Sequence, residues 1–296
     1  MRGPKRVLRS AAPQKEENMP ELPEVETIRR VLAPQLAGRT IGAVTLTHAE
    51  TAAHPSAAAF CAALPGRRIL SLGRRGKYLS LQLDRGELVV HLRMTGSLQA
   101  VPQNWPALPY TQAVLALSGG WKLRFDDQRR FGRLWLLAPG EADTFTGRAA
   151  LGPEPFDPAL TGAYLARVFG QSRRAVKSCL LDQSAVAGIG NIYSDEILFA
   201  ARLHPARAAC TLSAAEWDRL AAAIPARLAY FIDCNAVTPE QYRAMRGREY
   251  RNTPFLQMYG HAGAPCPVCG ATLCRAVIGG RSSVSCPHCQ PAPAQE

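Results

Sequence analysis

The chain has 296 residues, 47% of them hydrophobic, enough to bury sizeable cores and to divide into two domains plus a small module. Its net charge of +12 and pI near 9.6 point to a polyanionic partner, nucleic acid first, because Lys and Arg that neutralise phosphates release counterions. No apolar run reaches the roughly 18 residues of a membrane span, and MRGPKRVLRS is basic without the apolar stretch of a signal peptide.

Residues 1–18 are polar and basic without periodicity and read as an extension. A short amphipathic helix is predicted from Pro23, with Val25, Ile28 and Leu32 on one face and Pro34 as its end. Strand signals follow over 39–137. KYLSLQL and ELVVHLRM flank an Asp84-Arg85-Gly86 turn, AVLALS and WKLRF flank Gly119-Gly120, and RLWLL closes the set. Together with the leading helix they predict an α+β chain whose N-terminal part (19–137) is an antiparallel β-sandwich. Residues 138–158, with LGPEPFDP, shift to Pro, Gly and acidic residues and read as a linker. Residues 159–235 are Ala- and Leu-rich and helical, with SAAEWDRLAAAIPARLAYFI the longest stretch. Residues 236–260 are polar and arginine-rich and read as a loop that completes this domain (159–260). A cysteine module (261–290) and a tail (291–296) end the chain.

Nine cysteines could suggest disulfides, but five crowd into Cys266–Cys289 and the rest are scattered singly. That distribution suits a reducing compartment and one metal site. CPVC and CPHC give C-x2-C-x16-C-x2-C, so Cys266, Cys269, Cys286 and Cys289 form two knuckles that close a tetrahedron around one Zn²⁺. So small a module has almost no core, and the metal supplies most of its folding energy. Four sulfurs leave no open position, which makes the zinc structural. Cys274 falls outside ligand spacing, and His288 inside the second knuckle is expected to be exposed.

Several groups carry chemistry only in combination. VIGGRSSVS places Arg281 after two glycines at a hairpin tip, where a guanidinium can grip phosphate, although a solvated turn arginine looks the same. Arg129 and Phe131 lie in RRFG after FDDQ, and Met94 in HLRMTG. Either apolar group could wedge between bases, but taken singly both read as core residues. Asn191 opens a helix after Gly188 and Gly190, a place for a phosphate that Lys177 could share, or merely a cap. Lys77, in GRRGKYLS, alone is a strand-end lysine.

In order, PELPEVET, GRRGKYL, HLRMTG, RRFG, K-x2-LLDQ, AGIGNIYSDE and the GGRSS ribbon resemble the formamidopyrimidine-DNA glycosylases of the Fpg/MutM type, from Met19 to about Gln290. The start is less similar to the endonuclease VIII type, which reads more like PEGPE. The resemblance implies a β-sandwich, a helix–two-turn–helix domain and a zinc finger around duplex DNA that contains oxidised bases or abasic sites, bound by a monomer in the bacterial cytoplasm. It implies a DNA glycosylase and AP lyase for oxidised purines, 8-oxoguanine and formamidopyrimidines. Pro20 would be the amine nucleophile, Glu21 the acid that opens the sugar with Glu24 assisting, Lys77 the proton donor in β-elimination and Arg281 in δ-elimination. Met94, Arg129 and Phe131 would fill the vacated stack, and Asn191 and Lys177 would hold phosphates. Glu21 and Glu24 also suit a helix start electrostatically. Tyr110 stands where many relatives carry a histidine, and Ser172 where a lysine is usual, with Arg173 and Arg174 as substitutes at the DNA. PEQYRAMRGREYRNTPFLQMYGH, in the place of the loop over the flipped base, lacks the usual glycine-rich pattern.

MPELPEVET at 19–27 poses a chemical conflict. With residues 1–18 attached, the nitrogen of Pro20 is a tertiary amide and cannot attack, so Met19 is expected to be the working start. If the extension stays, the chain reads as a non-catalytic lesion-binding protein. An endonuclease VIII-like enzyme for oxidised pyrimidines is the third reading.

Overall fold

The computed structural model describes residues 20–247 and 253–292. The extension at 1–18, part of the expected lesion loop and most of the tail lie outside the described residues.

The chain opens with α1 (Leu22–Leu36), which buries Leu22, Val25, Ile28, Leu32 and Leu36 completely. At about 1.5–3 kcal/mol for each fully buried apolar side chain, this stripe seats the helix firmly. Pro34 does not end the helix as expected. A proline removes one intrahelical bond, and the buried Leu36 two residues on holds the last turn in place. Next come β1 (Ile41–Leu46), β2 (Ala52–His54), α2 (Ala57–Ala63), β3 (Ile69–Arg75), β4 (Tyr78–Leu83), β5 (Glu87–His91), β6 (Gly96–Pro102), β7 (Thr111–Leu117), β8 (Trp121–Asp127) and β9 (Arg133–Leu137). They form two sheets, ordered β1-β7-β8-β6 and β2-β9-β5-β4-β3, antiparallel except where short β2 meets β9. The main core lies between the sheets and under α1.

β5 and β9 are buried on both faces because Leu151 of the linker packs on Val89, Trp135 and Leu137. The linker is thus a packed layer. Glu154 fixes its far end, accepting from the Gly76 N–H (2.6 Å) and from Arg75 (3.0 Å) and pairing with Arg74 (2.8 Å).

The second lobe contains α3 (Gly162–Phe169), α4 (Val176–Leu180), α5 (Asn191–Ala200) and the long α6 (Ala214–Cys234) around their own core. A capping box of Ser213 and Glu216 starts α6. Residues 236–260 are not wholly a loop: α7 (Pro239–Ala244) returns to the first lobe. Tyr242 enters the sandwich core and donates to the Leu98 carbonyl (3.0 Å), and Asn235 donates to Thr27 Oγ1 (2.9 Å). One buried aromatic outweighs a polar surrounding composition there. The chain ends in a ribbon of β10 (Cys274–Ile278) and β11 (Arg281–Ser285), joined by Gly279-Gly280 at φ +56° and +74°, as a two-residue hairpin turn requires. Among the described residues no helix is long and apolar enough to cross a membrane.

Candidate active site

Where α1 begins, the two lobes meet. Pro20 is buried, and Glu21 beside it is 1% exposed. The Glu21 carboxylate accepts the N–H groups of Ile192 (3.0 Å) and Tyr193 (3.4 Å) in the first turn of α5. Gly190 makes this approach possible: a β-carbon there would sit 2.3 Å from Glu21 Cδ and 2.6 Å from Lys77 Nζ. Burial pushes the Glu21 carboxyl above its ordinary range, although Lys77 and the backbone donors pull it back. Burial also lowers the Lys77 ammonium, with Arg281 adding repulsion and Glu21 and Glu24 opposing. An acid raised and a lysine lowered in one cluster are suited to exchanging protons. Glu24 accepts from the Glu21 N–H (3.0 Å) and from the Tyr193 hydroxyl. His91, at the end of β5, faces Tyr78 in the next strand and feels the charge of Lys77. Burial, helped by the charges of Arg93 and Lys77, pulls it down to about 3, so its ring is neutral.

On the second lobe, Asn191 opens α5 with its Oδ1 buried and without a hydrogen-bond partner among the described residues. Arg281 is exposed at the start of β11. Lys177 does not lie open to a phosphate as expected. It is 0% exposed, and its Nζ donates to Asp195 Oδ1 (2.7 Å) and to the Ser282 carbonyl (2.9 Å). Asp195 also accepts from Ser283 Oγ (2.6 Å) and the Val284 N–H (3.0 Å), so the pair clamps β11 to α5. Lys177→Ala leaves a buried carboxylate uncompensated and should cost about 3–5 kcal/mol of stability. Denaturant unfolding of the variant checks this. Arg173 and Arg174 are exposed ahead of α4, with Arg174 donating to Ser178 O (2.8 Å) and Asp182 (3.3 Å).

The wedge candidates come together on the first lobe. Phe131 is 47% exposed and Met94 half-buried, so the reading of either as core does not hold. Met94 lies in the turn between β5 and β6, and Phe131 in the segment between β8 and β9. The Arg129 guanidinium stacks 4.8 Å from the Phe131 ring centroid and donates to Met94 Sδ (3.2 Å). Tyr110 is half-buried just before β7, and its carbonyl accepts the Asp127 N–H (2.9 Å). FDDQ is mostly strand, and the turn begins only at Gln128. The sequence reading missed Tyr193 and Asp195, which lie within AGIGNIYSDE, Asp127 beside RRFG, and the buried, neutral His91. Their motifs were visible, but partners far along the chain were not.

The four Sγ atoms of Cys266, Cys269, Cys286 and Cys289 lie within 4.8 Å of one another, with Cys266–Cys289 at 3.9 Å and Cys269–Cys286 at 3.4 Å. Tetrahedral zinc with Zn–S of ~2.3 Å spaces its sulfurs about 3.8 Å apart, so the set fits one structural Zn²⁺. Cys274 and His288 are exposed and outside it.

A two-sheet lobe, a helical lobe and a four-cysteine ribbon meet around a buried acid, which defines a two-lobed zinc-ribbon protein. Family profiles agree: the formamidopyrimidine-DNA glycosylase N-terminal domain matches residues 19–134, the H2TH domain of the same family 151–241, and the zinc finger found in FPG and IleRS 263–292. Formamidopyrimidine-DNA glycosylase from Moorella thermoacetica is 48% identical over 257 residues, 86% of this chain and 93% of that protein. The Symbiobacterium thermophilum protein of that name is 42% identical, covering 93% of this chain and 90% of its own. The Lactococcus lactis Fpg complexed with DNA containing an abasic site superposes with a TM-score of 0.84 at 28% identity, and Thermus thermophilus MutM with 0.80 at 39%. These cover 92% and 93% of this chain and 100% of theirs. The chain belongs to the formamidopyrimidine-DNA glycosylase family.

Proposed function

We propose that this protein is a bifunctional DNA glycosylase and AP lyase that removes oxidised purines from duplex DNA in the bacterial cytoplasm. Its parts are a catalytic lobe (19–137), a linker (138–158), a helical lobe (159–260) and a zinc finger (261–290). The buried Glu21, with its raised pKa beside Pro20 and Lys77, is the observation that carries this reading. Family membership supports it, as do the solved Lactococcus lactis complexes with DNA containing an abasic site or FAPY-dG.

A duplex hides C1′, so the damaged nucleotide must leave the stack, and Met94, Arg129 and Phe131 are placed to fill the gap. The neutral amine of Pro20 attacks C1′ and displaces the base, which leaves with the proton the amine gives up. Glu21 protonates the ring oxygen, the C1′–O bond opens, and an iminium links protein and sugar. An α-amino group near ~8 keeps a useful neutral fraction at working pH, which an ordinary lysine near ~10.4 does not. The iminium acidifies C2′, and loss of a C2′ proton expels the 3′ phosphate. Loss of a second proton, from C4′ of the conjugated iminium so formed, expels the 5′ phosphate. Glu24 assists Glu21, Lys77 moves protons in the first elimination, and Arg281 serves the second. Asn191, Arg173, Arg174 and Tyr110 contact the DNA backbone, while Lys177 acts from beneath β11.

Borohydride reduction on abasic-site DNA tests the reading. A chain beginning at Pro20 should be trapped covalently with the adduct on that residue, and the 296-residue chain with its blocked nitrogen should not. Duplex binding without any adduct would leave only the lesion-binding alternative.

A further inference from the structure

Asp127 ends β8 at 0% exposure, and no step of the proposed reaction uses it. Its Oδ1 accepts from the Thr95 hydroxyl and from the Arg129 N–H (3.1 Å), and its Oδ2 from the Gly132 N–H (2.7 Å). Thr95 Oγ1 in turn accepts the same Arg129 N–H (3.1 Å). These donors belong to two separate turns, one between β5 and β6 carrying Met94, the other between β8 and β9 carrying Arg129 and Phe131. Each turn also contains an arginine in the left-handed region, Arg93 at φ +55° and Arg130 at φ +58°. Non-glycine residues stay there only when their surroundings impose it. One buried carboxylate therefore sets both turns, and above it the Met94–Arg129–Phe131 contacts close the cluster.

We propose that Asp127 is a positioning residue that locks the two turns into one rigid wedge, so that Met94 and Phe131 enter the duplex together. This rests on the wedge role given to those residues above. Asp127 touches neither DNA nor the reacting atoms, and its contribution lies in extruding the damaged nucleotide.

Asp127→Asn keeps size and shape but turns an amide N–H₂ toward the Gly132 N–H or toward the Thr95 and Arg129 donors. Misplacing a functional group by about 1 Å costs on the order of 100-fold, so excision of 8-oxoguanine from duplex DNA should fall about 10- to 100-fold. Fluorescence of 2-aminopurine beside the lesion should no longer rise on binding. Borohydride trapping on single-stranded abasic DNA, which needs no extrusion, should stay within about twofold of wild type. Thr95→Val, which removes one link, should show a smaller loss confined to the duplex substrate, and it decides the matter if Asp127→Asn does not fold. Undiminished duplex excision overturns the proposal, as does an equal loss on both substrates. All these chains begin at Pro20, and if the one with no substitution gives no adduct on abasic DNA, the glycosylase reading fails instead, which is a separate result.

Discussion

Glu21→Gln should slow release of the damaged base by about 10²–10⁴-fold, the range lost when a positioned acid is removed. Glutamine retains an oxygen for the Ile192 N–H, so duplex affinity should change little, and single-turnover excision with a parallel binding isotherm separates the two. The charge argument has a second consequence. The folded-state pKa of Glu21 lies above its ordinary 4.5, so between those two values the folded protein holds a proton that the unfolded chain has released. Stability that is present below 4.5 is therefore lost as pH rises through the folded pKa. Glutamine carries no such penalty, and at neutral pH the variant should melt at or above the wild-type temperature. The acid is held in place at the expense of the fold, as active-site groups often are. In wild type, activity should decline on the alkaline side as Glu21 loses its proton. A Glu21→Gln variant that excises at the wild-type rate would remove Glu21 from the mechanism.

Loss of zinc should have the other large effect. Structural zinc contributes about 10–16 kcal/mol to modules of this size, and here the ribbon's small core includes the ligands Cys266 and Cys286 themselves. Cys286→Ser, or thiol modification that releases the metal, should unfold the ribbon. Arg281 is lost with it, and duplex affinity should fall by at least about 100-fold. The sandwich and helical lobes keep separate cores, so their melting transition should persist. Cys274→Ser, at an exposed thiol outside the tetrahedron, should leave zinc and binding intact. Zinc quantified with a colorimetric chelator beside a binding titration checks both. Undiminished affinity after stoichiometric release would show that the ribbon does not grip DNA.

What could be read from the sequence was what nearby residues decide. The turns at Gly86 and Gly119-Gly120 and the alternation around them placed β4, β5, β7 and β8, and the zinc ligands announce themselves because each knuckle is local. The helix α6 was legible from its length and its Ala- and Leu-rich composition. The reading of α1 stopped at Pro34 because a rule about proline carries no information on how deeply Leu36 is buried. α7 looked like loop because one tyrosine supplies its anchor. Lys177 looked like a phosphate ligand because its partner Asp195 lies 18 positions on, and Glu21 meets Ile192 across 171 positions. Spacing cannot show such contacts; only the packed lobes bring them together.

The return of α7 to the first lobe changes how the two lobes can move. A single linker would act as a ball joint, allowing rotation about three axes. Here the first lobe is also gripped at a second, separate place, by Tyr242 of α7 as well as by the Glu154-pinned linker, so free rotation about one linker is opposed. Lys77 of the first lobe is thereby held against Gly190 at the start of α5, within the field of Arg281.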